Sequence, residues 1–388
     1  MKKFFCGLLS AVITFGAAGC ASGGAEKSIS KISAAQLDGE YIKWFGRYSY
    51  DETEENALFT QSASGFEIRF KGEKLSAVMS AIWSESADAA YNPVLAVAVD
   101  GEDDPRNFSQ IVLDDINSKE YVLAEALSPE TEHTVRVYKK SEAAFGKVYL
   151  HSVESDGKLL KKSDEKRLQI EVFGDSITCG YGVDFTGEEG EVFSTLTEDA
   201  CETYAFLTAR MLNAELSMLC ASGWGMKEGL SPNTEIPLWF DSVDLNSDIP
   251  WDTRAHAADI VVITLGANDN QYILQGGTSL MQSRIEQYKA AYKAFIERIF
   301  NVYPKTKVVC CYGFLNEGNV YEPIKELALE FRAAGKSVYD LQLSSADSNP
   351  PIALHGHPGK KSHIAAAEEL VSFMESRRIA ARVKENIE

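Results

Sequence analysis

The chain reads as two domains in series, an antiparallel β-sandwich followed by an α/β domain built on a parallel sheet. Three observations predict this. Apolar residues alternate with period two between Tyr41 and Val153; after Arg167, short apolar runs separated by helical patterns take over; and a polar, charged stretch divides the two regimes. Alternation implies that one face of each strand is buried, an unbroken run that both are. The 388 residues exceed what one core usually organises, and 45% apolar content is ample for two.

The first 19 residues carry Lys2 and Lys3, then an uncharged run from Phe4 to Gly19 that ends in small residues. That is the pattern of a signal peptide rather than a span, because the run falls short of the roughly 20 residues that cross a bilayer. Ala17-Ala18-Gly19-Cys20 resembles a bacterial lipobox. Cys20 would then become a lipidated N-terminus and hold the protein in the cell envelope or at the cell surface; plain secretion is the alternative. Residues 20–38, rich in Ala, Ser, Gly and Lys, read as a tether.

The sandwich is expected over 39–160, on the alternations Phe66/Ile68/Phe70, Leu95/Val97/Val99 before Asp100-Gly101, Val135/Val137 and Val148/Leu150. Ser155 to Arg167 reads as a linker or domain-edge loop. Within 161–388 the strands are expected at Leu168–Phe173, Leu216–Ala221, Ile260–Leu265, Val308–Tyr312 and Val338–Leu341. Between them, Ile285, Tyr288, Tyr292, Phe295 and Ile299 form a helical stripe that stops before Pro304, and a further helix runs from Pro323 to Gly335. A last helix carries Ile364, Ala367, Val371 and Met374 on one face. Strands alternating with helices imply a parallel sheet covered on both faces, with its site at the carboxyl ends of the strands.

Loss of the leader leaves 57 acidic against 36 basic residues, a net charge of about −21, which argues against nucleic acid as a partner. Apart from Cys6 and Cys20, the cysteines are Cys179, Cys201, Cys220, Cys310 and Cys311; they spell neither a disulfide framework nor a zinc pattern and read as small buried hydrophobes.

Three segments at strand ends carry chemistry. Phe173-Gly174-Asp175-Ser176 places a serine in a turn where its hydroxyl and its backbone N–H can face one point, although Gly-Asp-Ser by itself is an ordinary turn. Gly266-Ala267-Asn268-Asp269 offers an amide to an oxyanion, or merely an Asx-turn that closes the strand. Leu354-His355-Gly356-His357-Pro358 offers a general base on a loop stiffened by proline. His355, His357 and His363 together also suggest zinc, but no other segment supplies a ligand set, and His363 has a blander use in packing or capping. No metal and no cofactor is expected.

The order of the blocks is more specific than any block. GDSIT, then Ala221-Ser222-Gly223-Trp224-Gly225, then GAND, then His-Pro resembles the four spaced blocks of the SGNH (GDSL) hydrolases. The longer string GDSITCGYG, a helix over Glu198–Leu212 and the preceding sandwich resemble carbohydrate esterase family two, of the acetyl xylan esterase type. The resemblance implies a jelly-roll followed by a flavodoxin-like hydrolase domain, and removal of O-acetyl groups from polysaccharides. It implies Ser176 as nucleophile, His357 as base, and an oxyanion hole from the N–H groups of Ser176 and Gly223 and the side chain of Asn268, with Asp175 shaping the turn. SGNH hydrolases commonly carry an aspartate two or three residues before the histidine. Here those places hold His355 and Leu354, so the pattern resembles relatives that use a Ser-His dyad with a backbone carbonyl behind the imidazole; Asp347 is the nearest upstream carboxylate. An aromatic residue often precedes the histidine in this family, where this chain has Gly356, which leaves Trp224 and Trp239 as candidates for stacking on a sugar.

The partner implied is an acetylated carbohydrate, with the membrane reached through Cys20. Two other readings compete: a lipase or thioesterase acting on longer acyl chains, disfavoured by the lack of an apolar lid between the blocks, and a glycan-binding surface lipoprotein whose site has decayed.

Overall fold

The computed structural model describes residues 29–33, 36–37, 39–82, 88–163, 167–188 and 190–380. The leader, Cys6, Cys20 and most of the expected tether lie outside these residues.

The N-terminal domain is an all-antiparallel sandwich of β1 (Ile29–Ile32), β2 (Ile42–Phe45), β3 (Tyr48–Asp51), β4 (Asn56–Phe59), β5 (Gly65–Lys71), β6 (Leu75–Ile82), β7 (Val94–Val99), β8 (Ser109–Val112), β9 (Lys119–Ala124), β10 (His133–Lys139) and β11 (Lys147–Leu160). The path β3-β4-β11-β5-β10-β7-β8 carries the remaining strands as side pairings. Phe66, Ile68, Phe70, Val135, Val137, Val148 and Leu150 all point into one core, as their alternation requires.

Two boundaries differ from the sequence reading. Ile29–Ile32 is a strand paired with β11, although it falls in the expected tether; its two isoleucines are enough to seat four residues on the sandwich edge. Ser155 to Leu160, inside the expected sandwich bounds but read from its charge as a linker or domain-edge loop, continues β11, pairing with β6 at Ser155 and with β5 at Lys158. A strand that crosses between layers exposes its polar side chains while its backbone stays in the ladder, so composition alone disguises it.

The second domain is a five-stranded parallel sheet of β12 (Gln169–Gly174), β13 (Glu215–Cys220), β14 (Ile260–Thr264), β15 (Lys307–Tyr312) and β16 (Val338–Gln342), ordered β13-β12-β14-β15-β16. That is the flavodoxin-like order, with the crevice of the topological switch beside β12. Around it lie α1 (Ser176–Cys179), α2 (Tyr204–Met211), α3 (Ala267–Gln275), α4 (Gly277–Val302), α5 (Tyr321–Ala333) and α6 (Lys360–Ser376). Successive strand residues feed opposite layers: Val172, Met218 and Val262 pack toward α2 and α6, while Phe173, Leu219 and Ile263 pack toward α4 and α5. The Tyr288/Tyr292/Phe295/Ile299 stripe is buried in the second layer. In α6, Ala367, Val371 and Met374 face the core but Ile364 is 42% exposed. The helix expected over Glu198–Leu212 breaks at Thr203, whose hydroxyl caps α2 after a short turn capped by Asp199.

The domains share a core. On β7, Leu95 and Val97 enter the sandwich interior, while Ala96 and Ala98 face out and join Phe108, Tyr138 and Phe206 in the α2 layer. Small side chains there let the sheet approach a helix. Buried charge pins the seam: Arg47 Nη2 lies 2.8 Å from Glu171 Oε1 with both side chains almost wholly buried, and Arg47 also donates to the carbonyls of Trp239 and Ser242. Removing one member of such a pair typically costs roughly 3–5 kcal/mol, because the other charge is stranded.

Candidate active site

β12 ends at Gly174, and Asp175 turns the chain: its Oδ1 accepts the N–H of Ile177 at 3.0 Å, capping the single turn α1 that begins with Ser176. Burial pushes the Asp175 carboxyl up to about 7, opposed by that backbone hydrogen bond. The turn is bolted from below, since Thr178 Oγ1 meets the Tyr204 hydroxyl at 2.9 Å and Tyr204 in turn donates to Thr264 Oγ1 at 2.7 Å.

Ser176 Oγ lies 2.8 Å from His357 Nε2. The other ring nitrogen, Nδ1, lies 3.1 Å from the carbonyl oxygen of Leu354. A carbonyl can only accept, so Nδ1 carries the proton and Nε2 presents its lone pair to the serine hydroxyl, as a general base must. The Leu354 carbonyl also accepts the His357 N–H, and Ala353 N–H returns a bond to the His357 carbonyl, which closes the loop on itself. Gly182, at φ +67°, lets this loop approach: a Cβ there would stand 2.6 Å from Leu354 Cβ. Burial pulls the half-buried His357 below its ordinary value; the Leu354 bond opposes this and the charge of His355 adds to it.

Beside the serine, the strand-end loop after β13 turns at Gly223 (φ +80°). Among the described residues neither the Ser176 N–H nor the Gly223 N–H has a hydrogen-bond partner in the protein, which leaves both donors for a ligand. Asn268, first turn of α3, donates one amide hydrogen to the Trp224 carbonyl at 2.7 Å, which fixes the side chain on the same loop and leaves its second hydrogen for another acceptor. Its neighbour Asp269 is fully buried and accepts the N–H groups of Met226, Lys227 and Glu228 at 2.7–3.1 Å. Burial pushes its carboxyl up to about 6 against those bonds.

A serine in contact with an imidazole whose Nε2 is left as acceptor, with backbone N–H groups unpaired at Ser176 and Gly223, is an arrangement suited to acyl transfer. Residues 172–354 match the GDSL-like Lipase/Acylhydrolase family, and residues 44–162 match the Carbohydrate esterase 2 N-terminal family. With the two matches in series, the chain is similar to the SGNH (GDSL) hydrolases of the family two carbohydrate esterase type. It is 29% identical over 259 residues to a Cellulase/esterase CelE of Acetivibrio thermocellus, covering 64% of this chain and 30% of that protein. It is 26% identical over 250 residues to an Acetylxylan esterase / glucomannan deacetylase of Cellvibrio japonicus, covering 62% of this chain and 65% of that one. The chain thus spans less than two thirds of the length of these two relatives. In fold it is similar to a family two carbohydrate esterase from Clostridium thermocellum in complex with cellohexaose, with a TM-score of 0.76 at 24% identity over 87% of this chain and 99% of that one.

The dyad reading fits the structure, and two of the candidate residues are not brought to the site. Asp347 does not orient the base: it is exposed and takes the side-chain amide of Asn316 at 3.2 Å, while the Leu354 carbonyl occupies the position behind His357. Trp239 is not placed for sugar stacking. It is half-buried against the α4 layer with its indole N–H enclosed, and its carbonyl accepts Arg47, which pairs with Glu171 on the order of 15 Å back along β12 from Ser176. Trp224 stays at the oxyanion loop, half-buried.

The three clustered histidines of this hydrolase do not converge. His363 is buried and accepts the Tyr204 N–H at 3.1 Å, capping α2, and burial pulls it down to about 3. His355, exposed at φ +55°, meets the Tyr181 hydroxyl at 3.1 Å. The five described cysteines are buried and unpaired by disulfides.

Sequence reasoning missed the aromatic rim. Tyr181 lies 4.6 Å from the His357 ring and stacks on Phe193 at 4.3 Å and 8°. Phe193 continues to Phe145 and Tyr91, which come from the sandwich domain. The one aromatic letter of GDSITCGYG was the only available signal for Tyr181.

Proposed function

We propose that this hydrolase is a serine esterase that removes O-acetyl groups from polysaccharides or oligosaccharides through an acetyl-enzyme intermediate. The observation that carries the reading is the 2.8 Å contact of Ser176 Oγ with a His357 whose tautomer is set by the Leu354 carbonyl. Ser176 attacks the acetyl carbonyl as His357 Nε2 takes its proton. The charge that develops on the carbonyl oxygen meets the N–H groups of Ser176 and Gly223 and the amide of Asn268. Collapse expels the sugar alkoxide, which leaves with the proton returned by His357; water then repeats the sequence on the acetyl group. The substrate class is carried over from the relatives, whose names give acetylxylan and glucomannan deacetylation. Tyr181, half-buried beside His357, is the ring best placed to meet the leaving sugar.

The sequence pattern at Cys20 supports attachment to the bacterial envelope by lipid, facing acetylated glycans outside the cell. No helix among the described residues is long and apolar enough to cross a membrane. Metabolic labelling with a fatty acid, lost in Cys20→Ala, tests the anchor. Acetate release from acetylated xylan, mannan and simple sugar acetates tests the activity, and absence of release from all of them, with no labelling by a serine-reactive phosphonate, overturns it.

A further inference from the structure

Two carboxylates that the reaction does not use are wholly buried behind the oxyanion site. Glu142 belongs to the β10–β11 turn of the sandwich, and Glu198 to the loop that precedes α2. Glu142 Oε2 accepts the N–H of Ser222 at 2.7 Å, and the Cys179 thiol donates to the same oxygen at 3.4 Å. Ser222 precedes the oxyanion donor Gly223, and Cys179 closes the turn that begins with Ser176. One oxygen from the other domain therefore ties together the two segments that supply the backbone donors.

Glu142 is itself held. Its N–H donates to Glu198 Oε2 at 2.9 Å, and the Lys139 ammonium donates to its carbonyl at 2.7 Å. The Oε1 atoms of Glu142 and Glu198 are buried without a partner among the described residues, and the two side chains lie close together. Burial pushes both carboxyl groups up, Glu198 well above its ordinary range. Protonation of one of the two carboxyl groups relieves the like-charge repulsion. Burying two acids is costly unless they hold something in place, and what Glu142 holds is the oxyanion loop.

We propose that Glu142 is a positioning residue for the hydrolase domain, supplied by the sandwich, which aims the Gly223 N–H at the oxyanion by anchoring Ser222. The inference rests on the esterase reading for its kinetic consequence. The sandwich is then part of the catalytic apparatus and not only a neighbour to it.

The experiment compares Glu142→Ala, Glu142→Gln and Glu142→Asp with the wild type in the full chain, by steady-state kinetics on one acetyl ester and by amide hydrogen exchange. Gln keeps an acceptor for Ser222, Ala removes it, and Asp keeps the charge but withdraws it by one methylene. The expected result for Ala is a fall in kcat of about 10²-fold with KM within about twofold, because a displaced donor is felt mainly in the transition state. Gln should recover to within about fivefold of wild type and Asp should fall between them. Exchange should quicken at residues 222–228 in the Ala variant and return to normal in Gln, with the sandwich strands unchanged. Should Ala fail to fold, the Asp and Gln variants carry the same contrast. Unchanged kcat in Ala or Asp, or equal losses in Gln and Ala with faster exchange throughout both domains, overturns the proposal. If the wild type hydrolyses no ester, the esterase reading fails by itself; local exchange rescued by Gln then still supports the anchoring, and unaltered exchange at 222–228 overturns it.

Discussion

The two halves of the catalytic site are held by opposite kinds of chemistry. Behind the base stands a neutral group, the Leu354 carbonyl, and among the described residues no carboxylate is hydrogen-bonded to His357. Behind the oxyanion loop stand two buried acids, Glu142 and Asp269, which accept four backbone N–H groups of residues 222–228. The imidazole needs only a tautomer and an orientation, and a carbonyl on a short loop provides both. A loop that must present an unpaired N–H has no regular structure to hold it, and charge-assisted bonds, roughly twice the strength of neutral ones, do so. The imidazolium formed during attack is therefore met at Nδ1 by a carbonyl dipole and not by a full negative charge.

The largest test of this contrast lies at the reacting pair. Ser176→Ala and His357→Ala should each lower kcat by about 10³-fold or more with the fold retained, as read by circular dichroism and steady-state kinetics. Near-normal turnover in either would place the chemistry elsewhere. On the oxyanion side, Asn268→Ala should cost about 10²-fold in kcat with little change in KM. A loss confined to KM would make Asn268 a ground-state contact.

The pH profile sharpens the neutral half of the comparison. Burial depresses His357, so the base stays unprotonated to lower pH than a free imidazole, and the acid limb of kcat/KM should lie below about 6.5. A carboxylate behind the ring would move that limb upward, and a limb above 7 would mean that one is present. The smallest effects belong to the groups that structure removes from the site. Asp347→Asn should change kcat/KM by less than about twofold, where loss of a true orienting acid costs on the order of 10⁴-fold. His355→Ala should keep a substantial fraction of activity, because it touches Tyr181 and not Ser176.

Much of this was legible in the chain. Period-two alternation marked the inner face of β5, β7, β10 and β11, and short apolar runs, longest in β14 and β15, marked the five parallel strands, because burial on one face or on two writes itself into residue order. The GDS, GAND and His-Pro blocks were legible as well, since each is a short segment whose strand, turn and functional atom lie within a few residues. Ser176, Asn268 and His357 follow from them, and Gly223 from the Ala221–Gly225 block between the first two. What stayed hidden depends on contacts between distant residues. Arg47 and Glu171 are 124 positions apart, Glu142 and Ser222 80 apart, and no local pattern distinguishes such residues from surface charges. Ile29–Ile32 and Ser155–Leu160 were hidden for a related reason, as a strand's polar side chains say nothing of whether its backbone is paired. The choice between Asp347 and the Leu354 carbonyl was likewise open in the sequence, because a main-chain acceptor has no letter of its own. Local order fixed which residues could react; the packing of one domain against the other decided which groups hold them, because only a folded chain brings charges so far apart in sequence within hydrogen-bonding distance.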